Sequence, residues 1–363
     1  MISQDFIRSL FRPEVLALSA YKVADASNLI KLDAMENPYH WPEAMVSAWL
    51  EHLRHAELNR YPDPSATQLT TTLKTVNQIP AGSEVLLGNG SDEIIQLLLM
   101  ALPAGATVLA PEPGFVMYKQ VAMSLGLQFC GVPLLPASFD LDLPAMLSAI
   151  AQHQPGVIFI AYPNNPTGNL FSAEAIAQII AHAPGLVVID EAYAPFANAS
   201  FMQELPQHAH VLVMRTVSKL GLAGLRLGFI AGHEEIITQL NKIRLPYNIN
   251  ILTQLSADFA LAHSDVFIEQ STRICAEREQ LLNALQALPG ITAYPSKANF
   301  ILFRTPAGQA ERIFLSIKQQ GVLIKFLNAS GGLLQDYLRV TVGTPEENVS
   351  FLHALQNSLV KIA

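Results

Sequence analysis

Cysteine is scarce in this chain. Cys130 and Cys275 are the only two in 363 residues, and they lie far apart with no Cys-x-x-Cys spacing. That excludes a disulfide scaffold and a thiolate metal knuckle, and leaves a reduced, cytoplasmic chain as the expectation. Basic charge is also in short supply: 22 Lys and Arg against 30 Asp and Glu give a net charge of −8. Such a balance argues against nucleic acid or an anionic membrane as the partner. No apolar run approaches the roughly 18 residues of a membrane-spanning helix, and no basic-plus-apolar leader is visible. His52 and His55 stand three apart, but no further ligands accompany them, so no metal is expected. Internal repeats and low-complexity segments are absent.

What the chain does have is apolar content, 50% of it hydrophobic, and length enough for a large core and about two domains. Residues 1–40 are rich in aromatics and prolines without a periodic face, and read as an irregular arm. A helix is expected over 42–58, stopped by the Pro62 and Pro64 cluster. Short apolar runs at 85–87, 108–110, 156–162, 186–189, 211–214 and 227–231 then read as buried strands. Helical stretches such as 173–182 separate several of them, so the fold class is α/β, a mainly parallel sheet covered by helices. After about residue 275 the pattern changes to long helices (264–288, 308–320) alternating with strands at 300–303, 322–325 and 337–342. A large domain over 41–275 and a smaller α+β domain over 276–363 are expected.

The polar residues gather just past the strand ends, where open α/β sheets bind ligands. The first apolar run leads into Gly90, Ser91 and Asp92 at the head of a helix, a turn that presents free N–H groups to an anion. The others lead to Phe115, to Asn165, to Asp190 and Tyr193, and to Ser218 and Lys219, with Arg226 in the glycine-spaced loop beyond. A lysine at the end of a buried strand is costly unless it has a purpose, because desolvation disfavours the ammonium. The same desolvation lowers its pKa and frees the lone pair for imine chemistry. A carboxylate for a ring nitrogen, hydroxyl donors, an aromatic, an amine and an anion cup together are what a phosphorylated pyridine cofactor requires.

The motifs NGSDE, YPNNPTG, DEAY, SKLGLAGLRLG and LRVTVG, in this order, resemble those of the fold-type I pyridoxal-phosphate aminotransferases. LDAMENPY, LNRYPDP, RTVSKLGLAGLRLG and LRVTVGTPEE together resemble the histidinol-phosphate aminotransferase subfamily, from about residue 21 to the C-terminus. The resemblance implies pyridoxal 5'-phosphate held by Lys219, with Asp190 at the ring nitrogen and Asn165 and Tyr193 at the ring hydroxyl. Phe115 lies where the family stacks an aromatic on the ring. Gly90, Ser91, Asp92, Ser218 and Arg226 are implied for the phosphate. Tyr61 is implied to reach the neighbouring subunit's cofactor, hence a homodimer with shared sites. Arg339 is implied for the substrate anion, with Lys325 beside it, and Tyr21 and Asn37 closing over from the arm. The implied reaction passes the amino group of L-histidinol phosphate to 2-oxoglutarate, giving imidazole acetol phosphate and glutamate.

Three departures bear on the substrate: Met35 stands where the family usually shows asparagine, Lys325 where an arginine is common, and the loop from Lys219 to Arg226 is one residue shorter than in many members. An aromatic or broad-range aminotransferase and a threonine-phosphate decarboxylase are alternatives with the same cofactor. A cofactor-binding DNA regulator would need a basic segment, and none is visible.

Overall fold

The computed structural model describes residues 4–20, 23–328 and 332–360. Its strands run in chain order β1 (Ile30–Leu32), β2 (Ser83–Gly88), β3 (Thr107–Glu112), β4 (Gln128–Pro133), β5 (Val157–Ala161), β6 (Leu186–Asp190), β7 (Val211–Thr216), β8 (Gly228–His233), β9 (Thr292–Ala293), β10 (Phe300–Arg304), β11 (Val322–Phe326) and β12 (Tyr337–Thr341). Two sheets result. The first has seven strands in the order β2-β8-β7-β6-β5-β3-β4, and the second five, β1-β11-β12-β10-β9.

In the large sheet β3 to β7 are mutually parallel, whereas β8 runs antiparallel to both β7 and β2. The parallel strands are near-solid apolar runs because helices cover both faces; every residue of β5 is buried. The helix Ala173–His182 illustrates how the cover is made. Ser172 caps it by accepting from the Ala175 N–H, and Ile176, Ile179 and Ile180 turn one face inward. Burying three isoleucines is worth about 5–9 kcal/mol before chain entropy is counted.

The helix expected over 42–58 ends sooner, at Leu53. Beyond it Arg54, His55, Glu57 and Leu58 are exposed and offer no face to bury, so packing has nothing to prolong the helix with. The arm carries more structure than its composition implied. Helices Gln4–Ser9 and Pro13–Ala17 precede β1, which pairs in parallel with β11 and so belongs to the second sheet. Strand β4, with Gly131 and Pro133 in its six residues, is an edge strand that its sequence concealed.

The 23-residue helix Ser264–Gln286 runs between the two cores. Its Phe267 packs in the core of the large sheet, while Ile274, Leu281 and Leu285 pack with Phe300, Phe303 and Phe351 beside the second sheet. Tyr193 and Phe196, just after β6, also insert into that second core. The end of β6 is therefore anchored in both halves.

Candidate active site

Where the C-terminal ends of the parallel strands meet the second sheet there is a cavity of about 440 Å³. Gly90, Ser91, Asp92, Phe115, Asn165, Asp190, Tyr193, Ser218, Lys219 and Arg226 all line it. Ten residues expected from strand ends spread over 137 positions thus share one space. Ala34, Met35 and Glu36 of the arm complete the wall.

The anion end is built by backbone. Gly90 has φ +79° and ψ 171°, a conformation open essentially to glycine alone. A Cβ there would also stand 2.8 Å from Arg226 Nη2. The turn is held from behind: Glu93 Oε2 accepts from the Asn89 N–H at 2.7 Å and from Asn248 Nδ2 at 2.9 Å. The helix Ser91–Met100 starts there, so its first N–H groups point into the cavity with the positive end of the helix dipole. Asp92 can serve an anion only through its N–H, since its carboxylate lies 3.5 Å from Arg226 Nη2 and would repel.

At the other end Asp190 is 4% exposed. Its Oδ1 accepts from the Ala192 N–H at 3.0 Å and its Oδ2 from the Tyr118 hydroxyl at 2.6 Å. Burial pushes its carboxyl up to about 6; the two hydrogen bonds oppose that rise, and Asp92 and Glu191 add to it. Tyr118 is the site residue that the sequence reading missed. Its only signal was an aromatic three residues after Phe115 on one helix face, which serves core packing equally well.

Lys219 follows β7 in a short helical segment, Ser218–Leu222, that Gly221 kinks with φ +121°. Its Nζ donates to the Ala34 carbonyl at 3.0 Å, a backbone partner that no side-chain motif announces. Burial first, and then the Arg339 charge, lower its pKa to about 8. The amine is thus brought toward its neutral form and the carboxyl toward its protonated form, each by desolvation.

Arg339 is 5% exposed and lies beside the cavity. Nη1 donates to Asn165 Oδ1, Nη2 to the Asp33 carbonyl at 3.0 Å, and the guanidinium sits 5.1 Å from the Phe300 ring centre. Asn165 Nδ2 in turn donates to the Tyr193 hydroxyl at 3.2 Å. Lys325 lies opposite Arg339 in the β11–β12 register. Met35 has φ +54°, a left-handed conformation for which asparagine is better suited.

Two expected residues stand elsewhere. The Asn37 amide donates to the Leu220 carbonyl and to Gln270, and its oxygen accepts from the Tyr39 N–H, so the side chain is committed to holding the arm. Tyr61 is 81% exposed and stacks on Tyr247, ring centres 4.5 Å apart, on the outside of the protomer. Tyr21 lies outside the described residues.

A flat ring bearing an anionic group, a nitrogen opposite a carboxylate and a carbon within reach of an amine fits this cavity. The glycine cradle leaves room for the anion that a Cβ would close. Asp190, buried with no ion pair among the described residues, lacks the cation that such a nitrogen would provide.

The chain belongs to the class I and II aminotransferase family, whose model matches residues 27–355. Within that family its relatives include histidinol-phosphate aminotransferases. The "histidinol-phosphate aminotransferase 2" of Nitrosococcus oceani is 58% identical over 356 residues, covering 98% of this chain and 99% of that protein. The "histidinol-phosphate aminotransferase 1" of Ralstonia nicotianae is 52% identical over 98% of this chain and 96% of its own length. The fold is that of the histidinol-phosphate aminotransferase from Sinorhizobium meliloti, solved in complex with pyridoxal-5'-phosphate: TM-score 0.85 at 22% identity, over 98% of this chain and 99% of that one. The Clostridium acetobutylicum enzyme superposes with a TM-score of 0.84 at 23% identity over 92% of this chain and 100% of that one.

Proposed function

We propose that this chain is a pyridoxal-phosphate-dependent aminotransferase that takes the amino group of L-histidinol phosphate and delivers it to 2-oxoglutarate. Imidazole acetol phosphate and L-glutamate are the products. The observation that carries this reading is the facing of a half-buried lysine and a buried carboxylate across one cavity that has an anion cradle beside it. The names and near-complete overlap of the relatives support the choice of donor.

The bound cofactor supplies an electron sink for the carbon that carries the amino group. Asp190 holds the proton on the ring-nitrogen side, as a carboxylate paired with a cation in a dry pocket does. Asn165 and Tyr193, already hydrogen-bonded to each other, would hold the ring hydroxyl, and Phe115 would line the ring. The N–H groups of Gly90, Ser91 and Asp92, the Ser218 hydroxyl and Arg226 hold the phosphate. Lys219 would hold the cofactor through its amine, and that amine, its pKa lowered to about 8, would take and return a proton at the reacting carbon. Arg339 binds the anion of each substrate in turn, the carboxylate of one and the phosphate of the other, with Lys325 adding a point charge. Tyr21 and Asn37 belong to the arm that covers the substrate.

Two copies of the chain form the working unit in this reading, each giving Tyr61 to the other's phosphate site. The arm (1–40), the large domain (41–275) and the small domain (276–363) are its moving parts, and the cytoplasm is its place. Among the described residues no helix is long and apolar enough to cross a membrane.

The test is an absorbance titration of the purified holoenzyme with L-histidinol phosphate and no acceptor. Conversion of the cofactor to its amine form, reversed by 2-oxoglutarate, is the expected result. If only an aromatic amino acid converts it, the donor is wrong and the cofactor stands. Release of CO2 from threonine phosphate, with no glutamate formed, would make the chain a decarboxylase.

A further inference from the structure

Phe115 and Tyr118 lie three residues apart at the start of the helix Val116–Ser124, so they share one of its faces. Phe115 faces the cavity. Tyr118 stands behind it, 2% exposed. Its ring stacks on Phe159 with centres 4.4 Å apart and meets Phe115 edge-on at 5.5 Å. Its hydroxyl reaches Asp190 Oδ2 at 2.6 Å.

The surroundings of Asp190 make that hydroxyl consequential. Of the titratable groups around it, Asp92 on the helix Ser91–Met100 and its chain neighbour Glu191 are like charges. Tyr193 follows on the next turn, and the cavity's cations, Lys219 and Arg226, stand at the other walls. The carboxylate accepts from the Ala192 N–H on one oxygen and from the Tyr118 hydroxyl on the other. A tyrosine needed only for core packing satisfies its hydroxyl as well on a backbone carbonyl; this one spends it on a buried carboxylate. Burial and the Asp190 charge hold the phenol well above its usual pKa, so it stays a donor at any working pH.

We infer that Tyr118 is a positioning residue for the cofactor's ring: its hydroxyl fixes the Asp190 carboxylate and favours its ionised form, while its ring backs Phe115. One side chain thereby ties together the group that faces the ring nitrogen and the group that packs on the ring. The inference rests on the cofactor reading above for its purpose, but its physical core, the control of Asp190 by Tyr118, can be tested without cofactor.

The variant is Tyr118→Phe, which keeps both ring contacts and removes one oxygen. In cofactor-free protein the carbonyl stretch of protonated Asp190 can be followed by infrared spectroscopy against pH, with Asp190→Asn as the blank. A charge-assisted hydrogen bond is worth enough that its loss should move the midpoint upward by about 1–2 pH units. In the loaded enzyme the acidic limb of kcat/KM should move the same way. A purely structural tyrosine would lower yield or kcat and leave both midpoints in place; that outcome overturns the inference. A fluorinated tyrosine placed at 118, a stronger donor of nearly the same shape, should move the midpoint downward, which keeps the test open if Tyr118→Phe folds poorly. No shift with the fluorinated residue would equally overturn it. Absence of any pyridoxal-phosphate absorbance in the parent protein would instead sink the proposed function and leave the infrared result standing.

Discussion

Lys219 and Asp190 impose opposite costs on the cofactor-free site, and pH separates them. The folded amine has its pKa lowered from 10.5 to about 8, so between those values the unfolded chain holds more protons than the folded one. Stability of the cofactor-free protein therefore rises with pH across that window, and below pH 8 the full cost of burying the ammonium is present. Lys219→Met should make the cofactor-free protein more stable at pH 7 by about 2–3 kcal/mol while abolishing transamination. Urea unfolding at fixed protein concentration measures this; equal stability of the two proteins at pH 7 would contradict it. Asp190 acts in the reverse sense. Its folded pKa of about 6 lies above the usual 3.8, so its contribution is intact below pH 3.8 and is lost as pH rises through 6. At neutral pH both groups strain the cofactor-free site, and a cationic ring nitrogen facing Asp190 relieves its share. Gly90 carries a different constraint. In Gly90→Ala the new Cβ meets the far end of the Arg226 side chain, which can swing away, but the backbone cannot follow. The strain should cost about 1–3 kcal/mol, and displacement of Arg226 should weaken pyridoxal phosphate at least about tenfold in an equilibrium titration. An unchanged affinity would remove Arg226 from the phosphate site.

At the scale of elements, the strand ends were legible because parallel strands buried on both faces read as solid apolar runs, and the polar residues closing each run stand out against them. Asp190 and Glu191 show where that legibility stops. Adjacent residues at a strand end point to opposite sides, and nothing in DEAY says which carboxylate faces the cavity. The fold sends Asp190 to the site and Glu191 the other way. There Glu191, fully buried, pairs with Arg215 at 2.7 Å and accepts from the Phe201 N–H at 2.6 Å, tying the loop after β6 to β7. The Tyr118 bond to Asp190 spans 72 residues and the Lys219 bond to Ala34 spans 185, so both depend on register and packing that a linear pattern does not carry. β1 was hidden for a related reason: three residues have no period to detect, and their strand character comes from β11. Glu191→Ala leaves the Arg215 guanidinium without its carboxylate and the Phe201 N–H unpaired. It should destabilise the protein by about 3–5 kcal/mol. The absorbance of the bound cofactor should stay that of the parent at temperatures where the variant is folded. A changed spectrum in folded Glu191→Ala would show that this pair reaches the site after all.

For the whole molecule the decisive residue is Tyr61. It is 81% exposed and stacked on Tyr247, an arrangement that leaves two aromatic faces in water on a single protomer. If Tyr61 completes the phosphate site of a second copy, the active unit is a symmetric dimer in which each cavity is walled by both chains. Subunit mixing tests this directly. Tyr61→Ala and Lys219→Met are each prepared as inactive homodimers, then unfolded, mixed in equal amounts and refolded with pyridoxal phosphate. In a mixed dimer with Tyr61 acting across the interface, one cavity carries both defects and the other carries none. Random pairing makes half the dimers mixed, and half of their sites are intact, so about a quarter of the parent activity should return. If Tyr61 acts within its own chain, every cavity in the mixed dimer keeps one defect and no activity returns. A recovery near one quarter, proportional to the mixed dimer resolved by a charge tag on one variant, would establish the shared site. Absence of recovery despite that mixed dimer would confine the site to a single chain.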